Sequence, residues 1–471
     1  MPAAERGCRK VIEELEALLA GRRFVSFEYG ATNCLGLARY MRFDLFLSNR
    51  YGLDSEWAVA SMGGKLISVE RETGVRCRRE GGGLEDLLQG HLGPQITAAL
   101  QESPCRVLTW QSVEPLEALA AASDGHLQIL APAAALKCRL DDKIAFRRAL
   151  RQLGIEPVPQ LICDLDTLDL GQVRRSFGLP CVVQLAISAG GSGTFFISAQ
   201  EDLCSLQDQH GGKEVIVSKY VSPISPNINA VVCDDLVLVS HPSLQLVGVP
   251  ECTDKPSAYC GNDFVAAQRL PQAAIQRIYD QTRRIAAWIA GKGFRGLWGI
   301  DFVVDGSKVY PLEINPRLQG STSLLSDLQQ MSHQVPLMLA HLAAFMDGGA
   351  DCLRRSARQW AHPQPQHGAQ MVLCSRESDW RVVRGDVQPG VYAWEGSRGV
   401  YRRRGLTVAD CQGPDEFVVI GNVPVQGTQV EPGVALCKIQ TRREVLAGAS
   451  NKLQPWAAQV CDWVYQAFDL S

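Results

Sequence analysis

The stretch from Gly299 to Arg317, Gly-Ile-Asp-Phe-Val-Val-Asp-Gly-Ser-Lys-Val-Tyr-Pro-Leu-Glu-Ile-Asn-Pro-Arg, constrains this chain more than any other. β-Branched and aromatic residues flank an Asp-Gly pair, which is a hairpin signal. The pattern predicts strands over 298–304 and 308–314 around Asp305-Gly306. Asp301 and Glu313 then lie on adjacent antiparallel strands, followed at once by the amide of Asn315 and the guanidinium of Arg317. Whether the two acids share a face depends on the turn. A two-residue Asp-Gly loop puts them on opposite faces. A three-residue loop over 305–307 pairs Val304 with Lys308 and leaves Glu313 diagonal to Asp301 on one face, with Cβ atoms about 7–8 Å apart. The competing reading is an exposed hairpin with solvated acids. Against it, Leu312 and Ile314 set Glu313 facing away from an apolar core. Two carboxylates with the Asn315 amide form an oxygen cluster suited to Mg²⁺, or Mn²⁺ in its place, held together with phosphates. Arg317 would present a planar fork to a carboxylate or phosphate.

Size and composition set the frame around that hairpin. With 471 residues the chain has room for about three domains. Hydrophobic residues make up 46% and charged residues 21%, the proportions of a globular chain rather than a disordered one. A net charge of -3 provides no global field toward nucleic acid or an anionic membrane. The basic runs Arg402-Arg403-Arg404 and Arg76-Cys77-Arg78-Arg79 read as solvated faces or phosphosubstrate contacts. No stretch reaches the ~20 apolar residues of a membrane span. The longest, over 335–346, is broken by His341 and fits a buried helix. The N-terminus reads as an acidic amphipathic helix without the layout of a signal peptide, and a cytoplasmic protein is expected. The 16 cysteines are scattered with no CxxC pair, as small buried hydrophobes in a reducing cytosol would be, and the histidines show no zinc spacing.

Three regions follow along the chain. Residues 1–135 alternate short apolar runs with helical patterns and predict an α/β layer with a parallel sheet. Residues 136–348 mix helices and hairpins: a helix from Lys143 to Leu153, strands over 180–186, 194–198 and 215–221, a strand pair broken by Asp234-Asp235, and a helix over 275–291 with Ile278, Ile285 and Ile289 near one face. Residues 349–471 are rich in β-branched runs and Gly/Pro turns, closed by a helix near 456–468. Gly81-Gly82-Gly83 reads as a loop.

Within the middle region, Ser188-Ala189-Gly190-Gly191-Ser192-Gly193-Thr194 lies between two apolar strands. Glycines admit phosphate oxygens close to the backbone and the hydroxyls add donors. A flexible hairpin explains it equally well, and no Walker A lysine follows. Lys143 opens a helix, where it could meet a phosphate or be an ordinary first-turn lysine. The strand ending Ser218-Lys219-Tyr220-Val221 could offer its backbone to an adenine edge or be plain core. Between this strand and the acid hairpin, the 241–269 segment carries His241, Gln245, Glu251, Asn262, Asp263 and Arg269 amid Gly and Pro. With Gln319 these are the candidate substrate wall.

In this order the motifs resemble the ATP-grasp superfamily over about residues 130–330, near the branch that contains biotin carboxylase and the carboxylate–amine ligases. The resemblance implies an α/β (α+β) fold: an N-terminal α/β domain over 1–135, an ATP-grasp domain over 136–348 with a mobile lid at about 144–220 and a catalytic antiparallel sheet, and a β-rich appendage over 349–471. It implies that Lys143 touches the α-phosphate and that Gly190, Gly191, Ser192, Gly193 and Thr194, with Ser188, cover the β- and γ-phosphates. Ser218, Lys219, Tyr220 and Val221 would receive adenine, mainly through backbone. Asp301, Glu313 and Asn315 would hold Mg²⁺, and Arg317 would hold the acyl substrate. One departure stands out: the family usually has a second lysine where this chain has Gln184, an amide that can donate to a phosphate or to adenine but carries no charge. A lysine restored there would be expected to tighten nucleotide binding. The implied activity is amide bond formation from a small carboxylate and an amine through an acyl phosphate, releasing ADP and phosphate. A biotin-carboxylase-like enzyme and a non-catalytic nucleotide-binding protein are the alternatives. Partners would be small molecules, with the β-rich region as a surface for a homodimer.

Overall fold

The computed structural model describes residues 3–77, 83–188, 190–221, 224–448 and 450–471, with side chains from Gly7 onward except that of Arg358. Arg78, Arg79, Gly81, Gly82 and Ala189, named above in sequence motifs, lie outside the described residues.

Near the N-terminus five short strands form a parallel sheet in the order Lys65–Ser68, Leu45–Ser48, Phe24–Glu28, Cys105–Thr109, Leu127–Leu130. Helices cover it, as parallel strands require. The central strand Phe24–Glu28 is buried along its whole length. The first helix, Ala3–Leu19, buries Val11, Leu15 and Leu19 at helical spacing.

A small antiparallel sheet follows, ordered Gln160–Asp164, Glu214–Lys219, Cys181–Leu185, Thr194–Ile197. Helices Leu170–Phe177 and Gln200–His210 pack on it around a satellite core that includes Leu165, Val173, Val183, Leu206 and Val215. The preceding helix, Lys143–Gln152, is capped by Asp142, whose carboxylate accepts the Ala145 N–H at 2.9 Å.

The third sheet has eleven strands and joins the middle region to the C-terminal one. It runs from the edge strand Lys308–Asn315 through Gly296–Asp305, Pro226–Cys233, Ser243–Val247 and Tyr259–Asp263 to Ala369–Cys374, Ala435–Thr441, Glu416–Ile420, Gly390–Trp394 and Gly399–Arg403, with Leu236–Val239 paired to Pro226–Cys233 off this path. The β-rich C-terminal strands therefore continue one hydrogen-bonded sheet across the boundary near 350. Helix Gln272–Ala290 buries Ile278, Ile285 and Ile289 against this sheet, and the apolar 335–346 run contains a fully buried helix, Leu337–Ala343.

Buried polar ties lock the C-terminal strands to the N-terminal region. The Asp54 carboxylate accepts the N–H groups of Gly421, Asn422 and Val423 at 2.8, 2.7 and 2.9 Å. Arg76 is not on a solvated face: it forks onto Glu70 at 2.9 Å through two nitrogens and donates to the carbonyls of Ala435 and Leu436. Arg402 and Arg403 pair with Glu395 and Glu416, while Arg404 covers Trp57, so that run is also committed within the chain. All 16 cysteines are free thiols and eleven are buried. Among the described residues, no helix is long and apolar enough to cross a membrane.

Candidate active site

The acid hairpin turns over two residues, Gly306 and Ser307, with Asp305 paired to Lys308 and Gly306 at φ 59°. The loop is thus neither of the two anticipated. In that register Asp301 would face Leu312, and Glu313 would point to the opposite side. A bulge at Leu312 restores the match: Phe302 pairs with Pro311, yet Asp301 pairs directly with Glu313. Lys308–Asn315 is the edge strand, where a proline and a bulge are both tolerated. Directly opposed positions bring the acids closer than the diagonal expected from sequence.

Asp301 lies in a row of amides. Its Oδ1 accepts from Asn227 at 2.5 Å and Gln245 at 3.0 Å, and its Oδ2 accepts from Asn315 at 3.1 Å. These donors are neutral. Burial, and then the charge of Glu313, push the Asp301 carboxyl up from the usual carboxylate range. Two adjacent carboxylates in such a place need a shared proton or a cation between them. The donor set, two carboxylates with amide oxygens nearby, suits a hard divalent cation that completes its shell with phosphate oxygens and water. Asp301, Glu313 and Asn315 therefore fit Mg²⁺. Among the described residues no cluster of three His, Cys, Asp or Glu side chains competes for a metal.

All three lie on a cleft of about 730 Å³ between the three sheets, and so do Gln184, Ser188, Gly190, Gly191, Thr194, Ser218, Lys219, Tyr220, Val221, Arg317, Gln245, Asn262 and Gln319. Lys143 is 4% exposed behind the wall, its Nζ 3.0 Å from Glu313 Oε2 and donating to Ser188 O at 3.0 Å and Ser188 Oγ at 3.2 Å. All three of its donors are engaged, so a phosphate would have to replace one of them. The glycine loop reaches the body of the molecule: Ser257 Oγ donates to Gly191 O at 2.9 Å, and a side chain at Gly191, with φ 82°, would strike the Ser257 carbonyl. Ser192 and Gly193 lie off the cleft wall. The Lys219 N–H already bonds Pro159 O at 2.9 Å, and its ammonium sits 3.4 Å from Asp305. An adenine would instead meet apolar walls from Val158, Val182, Val303 and Leu312 and the edge-to-face pair Phe196–Tyr220.

The substrate wall expected from sequence divides. Gln245, Asn262 and Gln319 line the cleft; His241, Glu251, Asp263 and Arg269 do not. His241 is buried with its ring 3.0 Å from the Pro242 carbonyl. Asp263 is a structural tie, accepting the N–H groups of Ala266, Val445 and Leu446 at 2.8, 2.7 and 3.0 Å. Arg269 pairs with Glu444. A short loop rich in polar residues serves backbone satisfaction as readily as it lines a cleft.

Several residues around the site escape the sequence pattern. Beside the expected Gln245 and Asn262, Gln370 and Gln440 of the C-terminal region continue a row of amides across four strands, although neither lines the cleft. Gln440 donates to Gln370 Oε1, and Gln370 donates to the Tyr259 hydroxyl at 3.1 Å. The available signal was an amide near one end of each of two largely apolar strands, Ala369–Cys374 and Ala435–Thr441. Arg147 is the other. Fully buried, it donates to the carbonyl of the bulged Leu312 at 2.8 Å, to Gln160 Oε1 at 2.7 Å and to Gln184 Oε1 at 3.2 Å. Burial pulls its guanidinium down to about 10 against the opposing influence of Glu313. A cation thus stands directly behind the amide at position 184.

Comparison with known proteins agrees with this architecture. Residues 140–321 match the ATP-grasp domain family. Over 182 residues the chain is 28% identical to the D-alanine–D-alanine ligase of Desulforudis audaxviator (strain MP104C), a match covering 37% of this chain and 57% of that one. Over 193 residues it is 25% identical to the arginine-specific large chain of carbamoyl phosphate synthase from Geobacillus stearothermophilus, covering 40% of this chain and 17% of that one. Neither match reaches two thirds of the relative's length. In fold, the chain superposes on biotin carboxylase from Campylobacter jejuni with a TM-score of 0.56 at 12% identity, over 90% of this chain and 87% of that one. The matched segment holds both the acid hairpin and the glycine loop, so residues 140–321 are an ATP-grasp domain.

Proposed function

We propose that this chain is an ATP-dependent carboxylate–amine ligase. The observation that carries the reading is the cross-strand pair Asp301–Glu313, set on one face by the Leu312 bulge and joined through Lys143 to the glycine loop. Asp301, Glu313 and Asn315 would hold Mg²⁺, which when bound neutralises phosphate charge. The apolar slot around Val158, Val182 and Leu312 would take the adenine. Lys143 would exchange one of its Ser188 contacts for a phosphate oxygen. Arg317, fixed by Asn315 Oδ1 at 2.9 Å and packed over Trp110, presents its guanidinium edge to a substrate carboxylate. That carboxylate attacks the γ-phosphorus of ATP and the bond to the β,γ-bridging oxygen breaks, releasing ADP; the amine then attacks the acyl carbon of the acyl phosphate, displaces phosphate and gives up a proton to it or to water. The protein's work is positioning and charge stabilisation, with little proton transfer of its own.

ADP release tests this directly. Turnover is expected only when a carboxylate and an amine are both supplied, with the amide found by mass. Turnover that needs bicarbonate and biotin instead would make the chain a carboxylase, and saturable ATP binding without ADP under any pairing would make it a binding protein.

A further inference from the structure

The far end of the cleft, toward the N-terminal and C-terminal regions, has a different chemistry. Arg50, Lys438 and Arg317 come from three distant parts of the sequence and all line the cavity there. Among the described residues none of the three has a carboxylate within ion-pair distance. Arg50 has no hydrogen-bond or ion-pair partner for its side chain among the described residues, Lys438 Nζ makes one long bond to Asn33 Oδ1 at 3.4 Å, and Arg317 bonds Asn315 and the Leu318 carbonyl. The nearby acids do not neutralise them. Glu70 is spent on Arg76, Asp54 on three backbone N–H groups, and Glu28 is fully buried beneath Lys438 with its carboxyl pushed up to about 8 by desolvation. Burial and, secondarily, the Arg76 charge pull Arg50 down to about 10; burial and then Arg50 pull Lys438 down to about 8. Tyr29 and Trp110, packed edge-to-face at 6.2 Å, supply a flat wall beside them.

Half-buried cations without counterions cost free energy, and a pocket that gathers them focuses positive potential on whatever enters. We propose that this end of the cleft binds an anionic group, carboxylate or phosphate, carried by one of the two small substrates at a point remote from the reacting centre. Arg50 grips it as a fork, Lys438 as a point charge, and Asn33 adds an amide. Arg317 stands between this group and the phosphates, so one substrate would span both ends. The assignment of the group to a ligation substrate rests on the ligase reading above; the anion site itself does not.

The test uses the full chain saturated with Mg²⁺ and a non-hydrolysable ATP analogue, so that the nucleotide end is filled. Succinate and inorganic phosphate are titrated calorimetrically, with neutral succinamide as control. Succinate, phosphate or both should bind, and whichever binds more tightly names the source of the charge. Arg50→Gln and Lys438→Gln should each weaken that binding about 10–100-fold, the loss expected for one charge-assisted contact, while Lys438→Arg retains it. Affinity for the analogue should stay unchanged in all three, which also reports that they fold. Absence of binding by both anions, equal binding of succinamide, or binding indifferent to both glutamine substitutions overturns the site. Anion binding of the expected pattern without ADP release from any acid–amine pair upholds the site and removes the ligase reading; ADP release confined to acid–amine pairs that carry no anionic group besides the reacting carboxylate does the reverse.

Discussion

The two walls of the cleft are built on opposite terms. The small sheet over 160–219 has its own satellite core, and its charged and polar side-chain contacts to the rest of the molecule include Lys143 to Ser188, Arg147 to Gln160 and Gln184, Arg148 to Glu214, Lys219 to Asp305 and Ser257 to Gly191. The opposite wall is cross-tied by fully buried groups, with Arg76 on Glu70, Asp54 on the 421–423 backbone, and His341 joining the Leu297 N–H to the Leu130 carbonyl. One wall keeps its polar groups where a ligand can exchange for them. The other has spent its polar groups on holding three regions together. Function and stability should therefore separate when each wall is altered.

The largest effect is expected at the Arg76 tie. Arg76→Met leaves Glu70 buried and unpaired and should cost about 3–5 kcal/mol in urea unfolding, with nucleotide affinity of the folded fraction unchanged. A loss below about 1 kcal/mol would erase the distinction between the walls. Glu313→Gln should do the reverse: ADP release falls about 10²–10³-fold while the unfolding midpoint barely moves, because Lys143 keeps both Ser188 contacts. An undiminished rate would remove the metal role of the pair.

A pH titration sharpens the same contrast. Burial lowers the His341 imidazole from 6.5 to about 4 in the folded chain. The unfolded chain binds the extra proton first, so this stabilisation is complete above about pH 6.5 and is lost as pH falls toward 4. The loss amounts to at most about 3 kcal/mol, and the pH slope should flatten in His341→Gln; an unchanged slope would refute the assignment. The smallest effect belongs to the small sheet. Gln184→Lys alone should fail to tighten ATP binding and should destabilise the chain by about 1 kcal/mol, because Arg147 already stands 3.2 Å from that side chain. Adding Arg147→Met should let the lysine raise affinity. Tightening by Gln184→Lys alone would show that Arg147 does not control the position.

How much was legible depends on how local each feature is. The helix opening at Lys143, the strands around the glycine loop and the hairpin acids all follow from short patterns of turn residues and alternation, and each appears within a few residues of its expected bounds. The register of the hairpin was not legible, although Pro311 on an edge strand was the clue to a bulge beside it. Arg147 gave no signal, being one of several arginines on an amphipathic helix. His241, Asp263 and Arg269 look like ligand residues in a list of letters and serve the fold instead. Arg50 and Lys438 lie far from every motif: Lys438 reaches the cleft because the C-terminal strands continue the same sheet, and Arg50 reaches it from the N-terminal region.

By itself the sequence determined which residues could carry charge to a nucleotide and in what order along the chain, because turns, caps and apolar periodicity act over a few residues. The tertiary structure alone decided which acids face one another, which cations stay uncompensated and which polar side chains are consumed by backbone groups. Those outcomes depend on burial and on counter-charges that arrive from hundreds of residues away.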